Sequence, residues 1–222
     1  VTKLMFPFYI FMGTNISYIP ELLCKNEEIL VFDLDSTLYQ TENYIYRRIE
    51  ECAIKYLEIK FGEKKARNLM DSVSSISNSV LKGLLMTNSI TYDEYHECIF
   101  SMVNYEDLIR RDDRLIRLLE NIQKPLFIMS NGTKAHVKRV LEILGIEHLF
   151  RGVFYVGYDC GNYIRKPSIR AFMTVEKLTR AKKIHFFDDK QRNIDIAALL
   201  KWVGYTVDES GIYESLKRIN TN

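Results

Sequence analysis

Four short apolar runs constrain the fold of this chain more than any other feature: EILVF (28–32), PLFIMS (125–130), GVFYVGY (152–158) and KIHFF (183–187). Each is continuous rather than alternating. A strand with one face in water alternates apolar and polar residues, whereas a strand covered on both faces need not. The runs therefore predict a parallel sheet layered between helices. A fifth run, YTV (205–207), is weaker. Helical periodicity fills the gaps. In AHVKRVLEILGI (135–146), Val137, Val140, Leu141 and Leu144 share one face and Gly145 supplies a stop. IRAFMTVEKLTRA (169–181) and RNIDIAALLKWVG (192–204) read the same way. Alternation of strand and helix predicts an α/β fold.

Residues 41–112 break this rhythm. ENYIYRRIEECAIKYLEI (42–59) places Ile45, Ile49, Cys52, Ala53 and Tyr56 on one helical face. A serine-rich stretch follows at 71–80. In SITYDEYHECIFSMV (89–103), Thr91 or Ser89 can cap a helix with Glu94 assisting. The expected organisation is an N-terminal extension (1–26), an α/β core (27–40 and 113–222) and a helical cap (41–112) inserted after the first core strand.

The totals agree with a globular chain. Of 222 residues, 47% are hydrophobic and 27% charged. The net charge of +2 makes no electrostatic case for a nucleic-acid polymer or a membrane surface. Cys24, Cys52, Cys98 and Cys160 form no C-x-x-C pair, so buried, reduced thiols in a cytoplasmic protein are expected. His96, His136, His148 and His185 show no ligand spacing and are read as structural or surface residues. No segment is apolar for long enough to span a bilayer. LMFPFYIFM (4–12) resembles the apolar part of a short signal peptide, but GTNISYIP after it lacks a small-residue cleavage site. A start at Met5 or Met12, with residues 1–11 an extension, is the favoured expectation.

The strand ends carry the chemistry. The first run stops at Asp33-Leu34-Asp35. Side chains two apart on a strand point the same way, so both carboxylates face one site beyond the sheet edge. Crowded carboxylates repel unless a cation lies between them or one keeps its proton. The second run ends in Ser130-Asn131-Gly132-Thr133, which opens a helix whose N-terminus attracts anions. Lys166-Pro167 follows the third strand, and Asp188-Asp189 ends the fourth. Each alone has an ordinary explanation as a cap, a turn or a solvated charge. Together they supply oxygen ligands for a hard cation such as Mg²⁺ and a lysine and hydroxyl for a phosphoryl group.

In this arrangement the chain resembles the haloacid dehalogenase-like hydrolases. Their D-x-D-x-T motif matches Asp33-Leu-Asp35-Ser-Thr37, their strand-end hydroxyl matches Ser130, their lysine matches Lys166, and their acidic pair matches Asp188-Asp189. DSTLY, SNGTKAHVKRVLEILGIEHLF, RKPS and FFDDKQRNI are similar to the pyrimidine 5′-nucleotidase-type branch, as is KGLL (82–85) in the cap. That branch has an aromatic–Gly pair before the Gly-Leu signature, where this chain has Ser77-Asn78.

The resemblance implies a Rossmann-like core and a phosphatase of a small phosphorylated substrate, a nucleotide foremost. It implies Asp33 as nucleophile and Asp35 as general acid–base. Ser130, Lys166 and the backbone N–H of Asn131 would grip phosphate. Mg²⁺ would be held by Asp33, the carbonyl of Asp35 and Asp189, with Asp188 in support. Thr37 would order the loop. Arg47, Arg48 and Lys82 are candidate cap contacts, although charges on a helix usually face solvent. A phosphoprotein phosphatase and a catalytically silent regulatory protein are the competing expectations. Dehalogenation is disfavoured, because dehalogenases of this superfamily dispense with the second aspartate.

Overall fold

A computed structural model describes residues 7–13, 28–40, 44–77, 79–217 and 219. Cys24 and Asn78, singled out above, lie outside them. In chain order the elements are β1 (Phe8–Phe11), β2 (Glu28–Phe32), α1 (Tyr44–Phe61), α2 (Glu63–Ile76), α3 (Val80–Met86), α4 (Tyr92–Glu94), α5 (Tyr105–Leu108), α6 (Asp113–Glu120), β3 (Leu126–Met129), α7 (Lys134–Leu144), β4 (Phe150–Tyr155), α8 (Ile169–Thr179), β5 (Lys183–Asp188), α9 (Gln191–Leu199), β6 (Val203–Thr206) and α10 (Ile212–Lys217). The chain divides into two compact units. One comprises Val1–Gln40, Ile109–Gly157 and Ile164–Asn222; the other comprises Thr41–Leu108 with Tyr158–Tyr163.

The first unit is an α/β structure around a six-stranded sheet of order β1-β4-β3-β2-β5-β6. Every strand pair in it is parallel. The continuous apolar runs pack on both faces. On one face Phe32, Phe187 and Tyr205 stack across three strands, with centroids 4.9 and 4.6 Å apart. Phe186 meets Phe172 and Trp202 edge-on. Each such pair adds about 0.5–1.5 kcal/mol beyond simple burial.

Two features differ from the sequence-based expectation. Phe8–Phe11, within the apolar stretch that resembles part of a signal peptide, is an edge strand on β4. Met12 is fully buried and donates its N–H to the Tyr155 carbonyl. Phe8 stays half exposed and residues 9–11 are partly buried, so the strand lies at the edge of the sheet. The helix expected over 192–204 ends at Leu199. Its apolar pattern continues into Trp202, but the backbone from Val203 pairs with β5 instead. Gly204 permits this, since a Cβ there would lie 2.7 Å from Ile194 Cγ2.

The second unit is helical. α1 buries Ile45, Cys52, Ala53 and Leu57, and α2 buries Ala66, Met70 and Val73. Gly83 of the KGLL signature lets α3 approach α2, because a Cβ there would meet Val73 Cγ1 at 2.5 Å. Thr91 forms the expected capping box with Glu94. The helix then widens into a π-turn at Tyr95–Ile99. Tyr95 and Ile99 of that turn are both buried. Among the described residues, Cys52, Cys98 and Cys160 form no disulfide; Cys52 is buried, but Cys160 is exposed, contrary to expectation. Among the described residues, no helix is long and apolar enough to cross a membrane.

Candidate active site

Three adjacent strands carry the motif residues to one sheet edge. Phe32 is level with Phe187 on β5 and with Ile128 on β3. Asp33 continues this register through its N–H, which donates to the Phe187 carbonyl at 2.8 Å. Asp33 therefore emerges beside Asp188, and Ser130 emerges just past the end of β3. From β2 the chain steps to β3 and β4 on one side; it then returns to β5 and β6 on the other. The strand order thus reverses between β2 and β5, where open α/β sheets bind ligands.

Lys166 ties this edge together. Its buried ammonium lies 2.7 Å from Asp33 Oδ1 and 2.6 Å from Asp188 Oδ2. Its main chain is clipped by Asn131, whose Oδ1 accepts from Lys166 N at 2.8 Å and whose Nδ2 donates to Lys166 O at 3.0 Å. The Asn131 side chain therefore positions the lysine. Burial raises the pKa of Asp33 well above the usual carboxylate value, with the Asp188 and Asp35 charges adding to it and Lys166 opposing. Burial also pushes the Lys166 ammonium towards its neutral form, but Asp188 and Asp33 outweigh this and its pKa is raised.

Asp33, Asp188 and Asp189 each present an oxygen within 4.8 Å of the others. An all-oxygen set of this kind fits Mg²⁺. The two acids of the pair are not equivalent. Asp188 Oδ2 meets Lys166, while its Oδ1 accepts from Lys190 N and Asn193 Nδ2, each at 2.8 Å. Asp189 instead meets the half-exposed Lys190 side chain at 2.6 Å. It is the acid better able to turn to a cation. Ser130 is fully buried, and its Oγ accepts from Gly132 N at 3.0 Å. Accepting leaves the hydroxyl proton to donate. Among the described residues the buried Thr37 hydroxyl has no hydrogen-bond partner, an unsatisfied donor in the loop of the first motif.

Asp35 is not in the carboxylate cluster of Asp33, Asp188 and Asp189. Ser36 takes φ 62°, and the turn bridges Asp35 to Tyr39. Asp35 Oδ1 receives the Tyr39 hydroxyl at 2.5 Å and lies 2.9 Å from His136 Nε2. Sequence reasoning read His136 only as structural or surface. Its one available signal was its place in the first turn of the helix opened by Ser130-Asn131-Gly132. In the second unit, Arg47 and Arg48 are exposed, Arg48 pairing with Glu51 at 3.0 Å, and Lys82 is half-buried.

Residues 28–200 match a family described as haloacid dehalogenase-like hydrolase. The chain is 27% identical over 206 residues to Phosphate metabolism protein 8 of Saccharomyces cerevisiae; the match covers 85% of this chain and 64% of that protein. It thus spans less than two thirds of that relative. Among solved structures, a haloacid dehalogenase family enzyme of Bacteroides thetaiotaomicron superposes with TM-score 0.57 at 18% identity, covering 86% of this chain and 98% of that one. The wild-type form of that enzyme in complex with magnesium and inorganic phosphate superposes with TM-score 0.52 at 18% identity, covering 82% and 94%.

Proposed function

The chain belongs to the haloacid dehalogenase-like hydrolases, and we propose that it is a Mg²⁺-dependent phosphomonoesterase acting on a nucleoside 5′-monophosphate, a pyrimidine one foremost. One observation carries the proposal: three carboxylate oxygens within 4.8 Å of one another, with a buried ammonium bound to two of the same residues. Carboxylates crowded this closely repel unless positive charge neutralises them, which a cation and Lys166 supply. The phosphate and magnesium held by the Bacteroides enzyme support the choice of substrate class. So does the phosphate metabolism named for the yeast relative. The pyrimidine assignment rests on the sequence likeness around Asp33, Ser130, Lys166 and Asp188.

The residues divide the work as follows. Asp33 attacks phosphorus, forming an O–P bond as the ester P–O bond breaks and leaving an aspartyl-phosphate. Asp35 gives its proton to the departing oxygen, then takes one from the water that hydrolyses the intermediate. Lys166 and Ser130 hold the transferring oxygens, and Asn131 keeps Lys166 in place. Held by Asp33, the Asp35 carbonyl and Asp189, with Asp188 in support, Mg²⁺ would neutralise the charge between nucleophile and phosphate.

Turnover of p-nitrophenyl phosphate tests the reaction class. Release of p-nitrophenol is expected with Mg²⁺, is lost in EDTA and returns on adding excess Mg²⁺. No metal-dependent release would leave a binding protein on this scaffold. A panel of UMP, CMP, purine nucleotides, sugar phosphates and a phosphopeptide tests the substrate. The pyrimidine nucleotides are expected to give the highest kcat/KM, and a preference for any other member replaces that assignment.

A further inference from the structure

We propose that His136 and Tyr39 are positioning residues that hold Asp35 Oδ1 and so confine the transferable proton of Asp35 to Oδ2. The inference rests on the reading of Asp35 as general acid–base.

Two side chains meet on one oxygen of Asp35. Asp35 is buried, and both the Tyr39 hydroxyl (2.5 Å) and His136 Nε2 (2.9 Å) converge on its Oδ1. An oxygen that accepts two hydrogen bonds behaves as the carbonyl oxygen of a carboxylic acid. Protonating it would break one of the bonds, so the proton resides on the other oxygen. The imidazole is assigned the tautomer or charge state that carries a proton on Nε2, so that the ring donates to Oδ1.

The surroundings are built to keep the ring there. A Cβ on Gly132 would lie 2.6 Å from His136 Cδ2, so only glycine leaves room for the ring. Thr133 caps the helix by accepting from His136 N at 3.1 Å. On the other side, the left-handed Ser36 turns Tyr39 back onto Asp35. The loop that carries Ser130 therefore also orients the acid, which couples the phosphate grip to the proton donor. In the reaction, Oδ2–H transfers its proton to the ester oxygen as the P–O bond breaks. Oδ2 then accepts a proton from the attacking water, while Oδ1 keeps both partners.

A leaving-group comparison tests this. p-Nitrophenol departs with little help, whereas phenol, of nearly the same shape, needs a proton. kcat/KM reports the first transfer, so it is measured for both aryl phosphates with Mg²⁺. Tyr39→Phe and His136→Ala are each expected to lose about ten- to a hundredfold more on phenyl phosphate than on p-nitrophenyl phosphate. His136→Gln, whose amide nitrogen replaces Nε2 at the same bond count, is expected to recover most of that loss. Gly132→Ala, which crowds the ring, is expected to reproduce it. Equal losses on the two substrates in His136→Ala and Tyr39→Phe would overturn the positioning role. Asp35→Asn is the control and is expected to show the largest selective loss. If Asp35→Asn shows no selectivity, the acid–base reading itself falls.

Discussion

Asp33→Asn is expected to lower turnover by about 10⁴-fold or more while leaving the metal-free protein at least as stable as the wild type. An amide oxygen is a poor nucleophile and cannot form the acyl phosphate. The stability half follows from electrostatics. Burial, Asp188 and Asp35 hold the Asp33 pKa well above its ordinary value. The folded state therefore keeps a proton that the unfolded state has released, so stability falls as pH rises above the ordinary carboxylate range. Asparagine does not titrate. Its advantage should grow as pH rises above the ordinary carboxylate range. Lys166 keeps Asp188 as a partner in the variant. Unfolding in EDTA at pH 5 and pH 8, alongside phosphatase assays, checks both halves. Near-normal turnover would remove Asp33 as nucleophile. A Tm several degrees lower at pH 8 would mean that the Asp33–Lys166 pair stabilises more than burial costs.

Lys166→Met should be the most damaging change to stability. Methionine fills a similar space, so the cavity term is small. What is lost is the one ammonium bridging two buried carboxylates. Breaking a buried pair from one side costs about 3–5 kcal/mol, because uncompensated charge remains. For a chain of this size that is on the order of ten degrees in Tm. With the ammonium gone, one carboxyl should hold its proton to a higher pH than in the unfolded chain. The deficit should therefore be smaller at pH 5 than at pH 8. Turnover should fall together with phosphate affinity, which inhibition by inorganic phosphate measures. An equal deficit at both pH values would show that the pair of aspartates is not held in enforced proximity.

The strand-tip residues could be read in sequence because each is announced locally. A buried strand that ends in a charge or a small polar residue leaves a mark within five or six positions. Asp33, Ser130 and Asp188 each carry that mark, and the structure brings Asp33, Lys166, Asp188 and Asp189 together. β1 could not be read this way. Its four residues, Phe8–Phe11, look apolar in any setting, and only β4 gives them a partner. Tyr158–Tyr163 follows β4 in the chain yet clusters with the helical residues of Thr41–Leu108. Contacts over so long a separation leave no periodic trace.

The sequence alone determined the layered α/β class, the helical insert and the stock of acids, hydroxyl and lysine at the strand ends, because hydrophobic period and strand termination are local properties of the chain. Strand order decided which of those groups meet. By placing β5 beside β2, it set Lys166 between Asp33 and Asp188. By placing β3 on the other side, it delivered His136, 101 residues away in the chain, to Asp35. Such pairings are fixed by packing in three dimensions, where distance along the chain no longer counts.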